Sequence, residues 1–342
     1  MTEALAAEIE KRGFAVVPGH LDAESLVQVQ SWHRADLAAA DSAAVSHSAS
    51  GSNSRVHLVP AHAKLTCLYS NPLLVALAAR LLGPFRLGAF LSRTVHSGAA
   101  AQPLHSDCPR DDGKLTMLGF IFALDDFVPE RGATRFLAGS HLGGVLGEAV
   151  PITAPAGSLI VYDGAVLHGF STHRGGPERR SIQGSFVPRG VPAIADMPEA
   201  GHSPLTHYLL GGEMALAPLR AAVAAGWGDD TAYPGAVRGG DPATGQCYPT
   251  ARVVQFFYPE LEIACGEVAT GTGVEWHFWN VGAERQVDLS WSQFPPGATV
   301  LGHRLLDRDA LGDSPPTVAR CALLLERTLL HLAGVVETPL VG

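Results

Sequence analysis

The residues whose types and spacing could do chemistry begin at His105-Ser106-Asp107 and continue to a basic pair, Arg179-Arg180. Two residues apart on an extended chain, His105 and Asp107 project to the same side, so a turn past a strand lets both reach one ion. A third ligand has to come from elsewhere. The histidines between Asp107 and Arg179 are His141, His168 and His173, and His168 is the best placed of them. Two imidazoles and one carboxylate on one face of an octahedron leave the opposite face open. That arrangement suits non-haem Fe(II), which needs open positions for a co-substrate and for O2. A His-x-Asp pair alone is mostly an ordinary turn, so the surroundings have to decide.

Those surroundings are ordered. Leu115 to Leu124 is an apolar run of strand length ending in Asp125-Asp126, followed by Glu130-Arg131-Gly132-Ala133-Thr134 and Phe136-Leu137-Ala138-Gly139-Ser140-His141. A second strand, Gly157 to Tyr162, delivers the turn that carries His168-Gly169. Arg179 then stands eleven residues after His168 and opens a strand running to Val187. In this order of motifs the chain closely resembles the phytanoyl-CoA dioxygenase-like branch of the Fe(II)/2-oxoglutarate oxygenases, over roughly residues 10–190.

The resemblance implies that His105, Asp107 and His168 hold Fe(II) and that 2-oxoglutarate chelates it as co-substrate. It puts Arg179 opposite the far carboxylate of 2-oxoglutarate, which a planar guanidinium meets with two parallel hydrogen bonds. Period-two alternation places Ser181 on the same face as Arg179 and turns Arg180 the other way; a one-residue slip in register would reverse the two arginines. Related halogenases lack the carboxylate ligand. Asp107 is present here, so the implied reaction is hydroxylation or another C–H oxidation, driven by decarboxylation of 2-oxoglutarate to succinate. The expected partners are O2 and a small molecule, amino-acid-derived or a natural product. A coenzyme A thioester suits the chain less, because no basic patch is present for its phosphates.

The elements that must position these residues follow from the rest of the chain. Leu5 to Lys11 reads as a helix and Gly13 to Pro18 as a strand, and Asp22 is an N-cap for a helix reaching about Leu37. Residues 41–54, rich in Ser, Ala and Gly, read as a mobile surface loop. Pro72 to Leu82 is a helix, and Phe85 to Val95 a strand that leads into the His-x-Asp segment. The mixed-charge loop Cys108 to Lys114 is expected to border the entrance to the site. Short strands with Gly and Pro turns then predict a double-stranded β-helix, the jelly-roll or cupin-like architecture, across residues 1–192.

Near Gly190 to Pro204 the composition turns to Pro, Ala and Gly, and a second, smaller α+β domain is expected over 203–342. Its helices are placed at Pro204–Leu210, Pro218–Trp227, Thr250–Phe257 and Cys321–Ala333, with strands at Glu275–Asn280 and Gln286–Trp291. Gly245-Gln246-Cys247, His277 with Asn280, Val287-Asp288-Leu289 and Gln293-Phe294-Pro295 resemble the YunG-like family, which assigns no chemistry. Cys247 before a helix, His277 on a strand and Asp288 on the next strand also follow the order of transglutaminase-like cysteine enzymes. This second candidate site would serve an amidase or acyl transferase, with the barrel as a binding module. The opposite reading makes Cys247 a small buried hydrophobe and His277 a core residue.

Composition bounds the rest. The 342 residues are 46% hydrophobic and 17% charged, with a net charge of −9, and no basic block points to nucleic acid. No apolar run reaches membrane-spanning length, and the amino terminus lacks the order of a signal peptide, so a cytoplasmic location is expected. The five cysteines are scattered without a disulfide framework or a zinc Cys-x-x-Cys pair.

Overall fold

The structure is a computed structural model that describes residues 1–39, 45–48, 51–58, 64–144, 147–191, 203–236, 240–307 and 313–334. It divides into two units, Met1–His202 with Leu209–Gly211, and Ser203–Tyr208 with Gly212–Gly342.

In the first unit, helix α1 (Thr2–Arg12) ends where Gly13 takes a φ of 88° and returns its N–H to Ile9 O. A side chain at Gly13 would be strained by that φ, and its Cβ would also lie 2.6 Å from Val166. Strand β1 (Phe14–Val17) follows, then α2 (Ala23–Ala39), where Asp22 Oδ1 accepts the Ser25 N–H at 2.8 Å. Next come β2 (Val45–His47), β3 (Asn53–His57), α3 (Thr66–Tyr69) and α4 (Pro72–Leu82). Asn71 caps α4 by accepting the N–H groups of Leu73 and Leu74, with Pro72 at the first position. The unit is completed by β4 (Phe85–Val95), β5 (Leu118–Ala123), β6 (Thr134–Phe136), β7 (Val150–Pro151), β8 (Leu159–Asp163), β9 (His168–Phe170) and β10 (Arg179–Pro188).

Seven of these strands form one antiparallel sheet in the order β1-β8-β5-β10-β4-β3-β2, and a smaller sheet runs β7-β6-β9. The two pack face to face. Phe14, Ile121, Ile160 and Tyr162 of the large sheet share a core with Phe136, Ile152 and Val166, and the rings of Phe14 and Phe136 stack at 4.5 Å. Truncating Phe136 to Ala would cost about 3–5 kcal/mol through lost burial and the cavity left behind. Two facing antiparallel sheets with this alternation are the double-stranded β-helix, which does not close into a barrel.

The expected loop over 41–54 is corrected. Residues 45–47 pair with 54–56 as β2 and β3, adding two strands to the large sheet, while 40–44 and 49–50 lie outside the described residues. Ser-rich composition misleads here because cross-strand bonds to β4, from Asn53↔Val95 to His57↔Leu91, override local preference.

The second unit contains α5 (Pro204–Leu209), α6 (Leu216–Gly226), α7 (Cys247–Phe257) and α8 (Pro315–Leu332). Its antiparallel sheet runs β13 (Gln286–Val287), β12 (Gly273–Val281), β11 (Glu262–Thr270), β14 (Thr299–Leu305). Helix α7 lies against β12, and α8 packs on α6 and α7. Three expectations change. Helices α7 and α8 begin earlier than expected, because Pro249, Pro315 and Pro316 sit in first turns, where a missing N–H costs nothing. Strands β11 and β14 were not anticipated. The strand expected through Trp291 stops at Val287, since Asp288 Oδ1 accepts the Ser290 N–H at 3.0 Å and turns the chain out of the sheet.

Candidate metal centre and its cavity

His105 sits on an extended segment that adds itself to the small sheet. Its N–H reaches His168 O at 3.0 Å, the His168 N–H returns to His105 O at 2.9 Å, and Asp107 N–H reaches Gly164 O at 2.8 Å. Gly169 permits this approach, because a Cβ there would meet Gln102 O at 2.9 Å and Pro103 O at 3.1 Å. Ser140, in the Gly-Ser-His turn, accepts the Leu167 N–H at 2.8 Å and so steadies the loop carrying His168.

The ladder brings the side chains of His105, Asp107 and His168 together, with one ligand atom of each within 4.8 Å of the others. His105 Nε2 lies 3.6 Å from Asp107 Oδ1, and His168 Nε2 lies 3.5 Å from Asp107 Oδ2. Both imidazoles bond a backbone carbonyl through Nδ1, His105 to Pro103 O at 3.2 Å and His168 to Val166 O at 3.0 Å. An Nδ1–H on each leaves Nε2 with its lone pair toward Asp107, the tautomer a metal ligand needs. Burial pushes the His168 pKa down, which favours the neutral ring. Two lone-pair nitrogens and a carboxylate oxygen fit one small divalent cation of the non-haem iron type.

Tyr162 completes this end. Its Oη donates to Asp107 Oδ2 at 2.8 Å, and burial followed by the Asp107 charge pushes its pKa well up, so the phenol remains a donor.

From here a cavity of about 330 Å³ runs between the sheets, lined by Asp107, Tyr162 and His168 and also by Arg179, Gln183, Arg93 and Arg55. Arg179 is fully buried over the Phe127 ring, its Cζ 4.2 Å from the ring centre, and its Nε and Nη1 have no partner among the described residues. Burial pushes its pKa down to about 9, with Arg93 the next cause. Such a buried, open-handed guanidinium matches a carboxylate. Ser181, also buried, accepts from Gln183 Nε2 at 3.1 Å. Arg180 points away and holds Asp125 through its N–H, Nε and Nη2 at 2.7–2.9 Å.

The remaining histidines lie elsewhere. His141 Nε2 bonds Glu10 O at 3.0 Å, and His173 bonds Pro177 O and the Gly175 N–H. The loop 108–114, expected to border the entrance, is not among the residues that line the cavity. It folds on itself instead, with Asp111 and Lys114 paired around Asp112-Gly113, and Arg110 tied to Asp163 at 2.7 Å. Tyr162, Arg93 and Arg55 escaped the sequence reading. The available signal was period two, which puts Arg93 on the inward row of β4.

In the second unit His277 Nε2 meets Asp288 Oδ2 at 2.7 Å, but His277 Nδ1 is taken by Gln293 at 3.2 Å. Neither nitrogen is left for Cys247. Burial pushes the Cys247 thiol up to about 11, against the lowering expected at a helix start. Desolvation outweighs the helix dipole here. Of the two readings the sequence leaves open, this geometry favours the structural one, with His277 buried among Trp279, Trp291 and Phe294.

Similarity to known proteins accords with this division. The YunG protein family matches residues 215–333. Dioxygenase sphC of Aspergillus fumigatus is 27% identical over 119 residues, 31% of this chain and 33% of its own length. Dioxygenase olcK of Penicillium canescens is 28% identical over 169 residues, 42% of this chain and 55% of its own length. The chain thus spans between a third and about half the length of these curated relatives. The α-ketoglutarate-dependent epimerase SnoN from nogalamycin biosynthesis is 24% identical, with a TM-score of 0.49 over 59% of this chain and 91% of that one. No helix among the described residues is long and apolar enough to cross a membrane. The phytanoyl-CoA dioxygenase (PhyH) family matches residues 9–181, half of the chain, and to that family this protein belongs.

Proposed function

We propose that this chain is an Fe(II)- and 2-oxoglutarate-dependent dioxygenase that oxidises a C–H bond of a small molecule, amino-acid-derived or a natural product. The observation that carries the reading is the pairing, in one cavity, of a His-Asp-His cluster with a buried guanidinium whose Nε and Nη1 are unpartnered. His105, Asp107 and His168 would hold the iron, and Tyr162 fixes the Asp107 carboxylate so that its orientation is set before metal arrives. Arg179, with Ser181 beside it, would anchor the far carboxylate of 2-oxoglutarate, and Phe127 beneath keeps that guanidinium in place. When bound, the iron and 2-oxoglutarate supply the oxidising chemistry with O2; the protein holds them and the target C–H in register. The cavity volume suits a small substrate beside the co-substrate.

Anaerobic addition of Fe(II) and then 2-oxoglutarate tests the proposal. A weak visible charge-transfer band should grow to saturation, and O2 should then release succinate. Absence of both from folded protein would overturn the reading.

A further inference from the structure

We propose that the hydrogen bond beside Arg179 to the far carboxylate of 2-oxoglutarate comes from the Gln183 carboxamide, and that Ser181 acts by positioning that carboxamide. This rests on the reading above, in which Arg179 anchors the carboxylate, and it reassigns the part given there to Ser181.

Period-two alternation along β10 puts Arg179, Ser181, Gln183 and Ser185 on one inner row. Arg179, Gln183 and Ser185 line the cavity, whereas Ser181 is fully buried and is not among the lining residues. Ser185 lies opposite Gly119 of β5, and Gly119 opposite Tyr162, which holds Asp107. Gln183 therefore falls between the candidate metal centre and Arg179. Its Nε2 lies 3.1 Å from Ser181 Oγ, so the carboxamide leans back along the strand toward Arg179. The long side chain reaches the cavity, and the short hydroxyl beneath it does not.

The carboxamide has a donor to spare. Its nitrogen carries two N–H groups, and Ser181 Oγ can take only one of them. With the amide turned the other way, the Ser181 hydroxyl would donate to Oε1 and both N–H groups would be free. In either orientation an N–H is left for the cavity. The flanks of Gln183 offer it no partner, because its cross-strand neighbours are Leu91 of β4 and Ile121 of β5, both apolar and both in the lining. Among the described residues its side chain makes no hydrogen bond other than the one to Ser181. A spare donor between two apolar side chains, two positions along the inner row from Ser181 and four from a buried guanidinium with open nitrogens, matches a second oxygen of the same carboxylate.

Anaerobic, Fe(II)-loaded protein is titrated calorimetrically with 2-oxoglutarate and with 2-oxopentanoate, which keeps the 2-oxo acid and the chain length but ends in a methyl group. The ratio of the two affinities reads the grip on the far carboxylate alone. Gln183→Leu should lower that ratio about tenfold or more, as loss of a hydrogen bond to a charged group requires, while 2-oxopentanoate binds no weaker than in the parent. Ser181→Ala should lower the ratio by less than about threefold, since the carboxamide loses its support but keeps its donor. The double variant should match Gln183→Leu alone, because Ser181 acts through Gln183. Gln183→Glu keeps the shape and the bond to Ser181 but sets a carboxylate where the N–H was, so the ratio should fall at least as far. A change that merely loosened β10 would weaken both ligands alike and leave the ratio where it was. A ratio kept in Gln183→Leu, a tenfold loss in Ser181→Ala, or additive losses in the double variant would overturn the proposal and return the contact to Ser181. A parent with no preference for 2-oxoglutarate would overturn the co-substrate reading and this proposal together, which tells the two failures apart.

Discussion

Tyr162 donates to Asp107 Oδ2 at 2.8 Å, and this bond ties the carboxylate of the candidate metal centre to β8 of the large sheet. The other Asp107 oxygen faces His105. Removing the phenol oxygen should leave the fold intact but free the carboxylate to rotate. Loss of an outer partner of this kind typically costs about 10–100-fold in metal affinity. Tyr162→Phe should therefore weaken Fe(II) binding by that order in an anaerobic titration, with melting temperature of the metal-free protein nearly unchanged. Unaltered affinity would mean that Asp107 is held by its backbone alone.

Arg179 and Arg180 are neighbours in sequence with opposite environments, one buried with open nitrogens and the other half-buried and paired to Asp125. Arg179→Leu should raise the apparent KM for 2-oxoglutarate by two orders of magnitude or more, since breaking a buried charge pair costs about 3–5 kcal/mol. The metal-free variant should melt no lower than the parent, because an unpaired buried cation has been removed. Arg180→Leu should leave that KM almost unchanged, because Arg180 points away from the cavity to Asp125. The opposite order in steady-state assays would place the co-substrate on the other face of β10.

Much of this architecture is legible in local signals. Alternation along β4 and β10, the Asn71-Pro72 start of α4 and the His-x-Asp spacing all act within a few residues. What escapes is settled by distant partners. The strands β2 and β3 exist because β4 offers an edge, and their own composition reads as loop. Tyr162 looks like one more apolar strand residue until the chain returns Asp107 to within hydrogen-bonding reach, 55 positions away. Cys247 looks reactive by its place at a helix start, yet desolvation pushes its thiol up, and Gln293 takes the histidine nitrogen it would have needed.

Cys247 should accordingly resist modification. With its thiol pushed up to about 11, almost none is thiolate at neutral pH, and alkylation needs the thiolate. Iodoacetamide at pH 7.5 followed by peptide mapping should label the exposed Cys67 ahead of Cys247, and Cys247 fully only after denaturation. Rapid native labelling of Cys247, slowed by His277→Ala, would restore the nucleophile reading.

His33 gives the first unit an acid-sensitive point away from the candidate metal centre. It is buried on α2, with Nε2 2.5 Å from Ser92 Oγ, and burial, with Arg180 and Arg34 adding to it, pushes its pKa down to about 4 against the pull of Asp125. The folded value lies below the unfolded value of about 6.5, so protonation favours unfolding. The contribution is complete above that unfolded value and disappears as pH falls toward 4, to a total of order 3 kcal/mol. His33→Gln should flatten the fall in urea midpoint between pH 6.5 and 4.5. His20 and His168 shift in the same direction, so a residual slope should remain.

Gly119 offers a test of the Tyr162–Asp107 bond that touches neither residue. On β5 it lies directly opposite Tyr162 of β8, and a Cβ there would sit 2.2 Å from the ring Cζ and 2.4 Å from Cε1. The ring packs across the glycine and is walled in by Phe136 and His168, so it has no cheap way to yield. Gly119→Ala should therefore swing the phenol off Asp107 and reproduce the weakened Fe(II) binding of Tyr162→Phe, with an added loss of stability of about 1–3 kcal/mol from overpacking. Because both changes act through one hydrogen bond, the double variant should bind iron no worse than Gly119→Ala alone. Additive losses in affinity would show that the two positions act on the metal centre by separate routes, and that the phenol is not what holds the carboxylate.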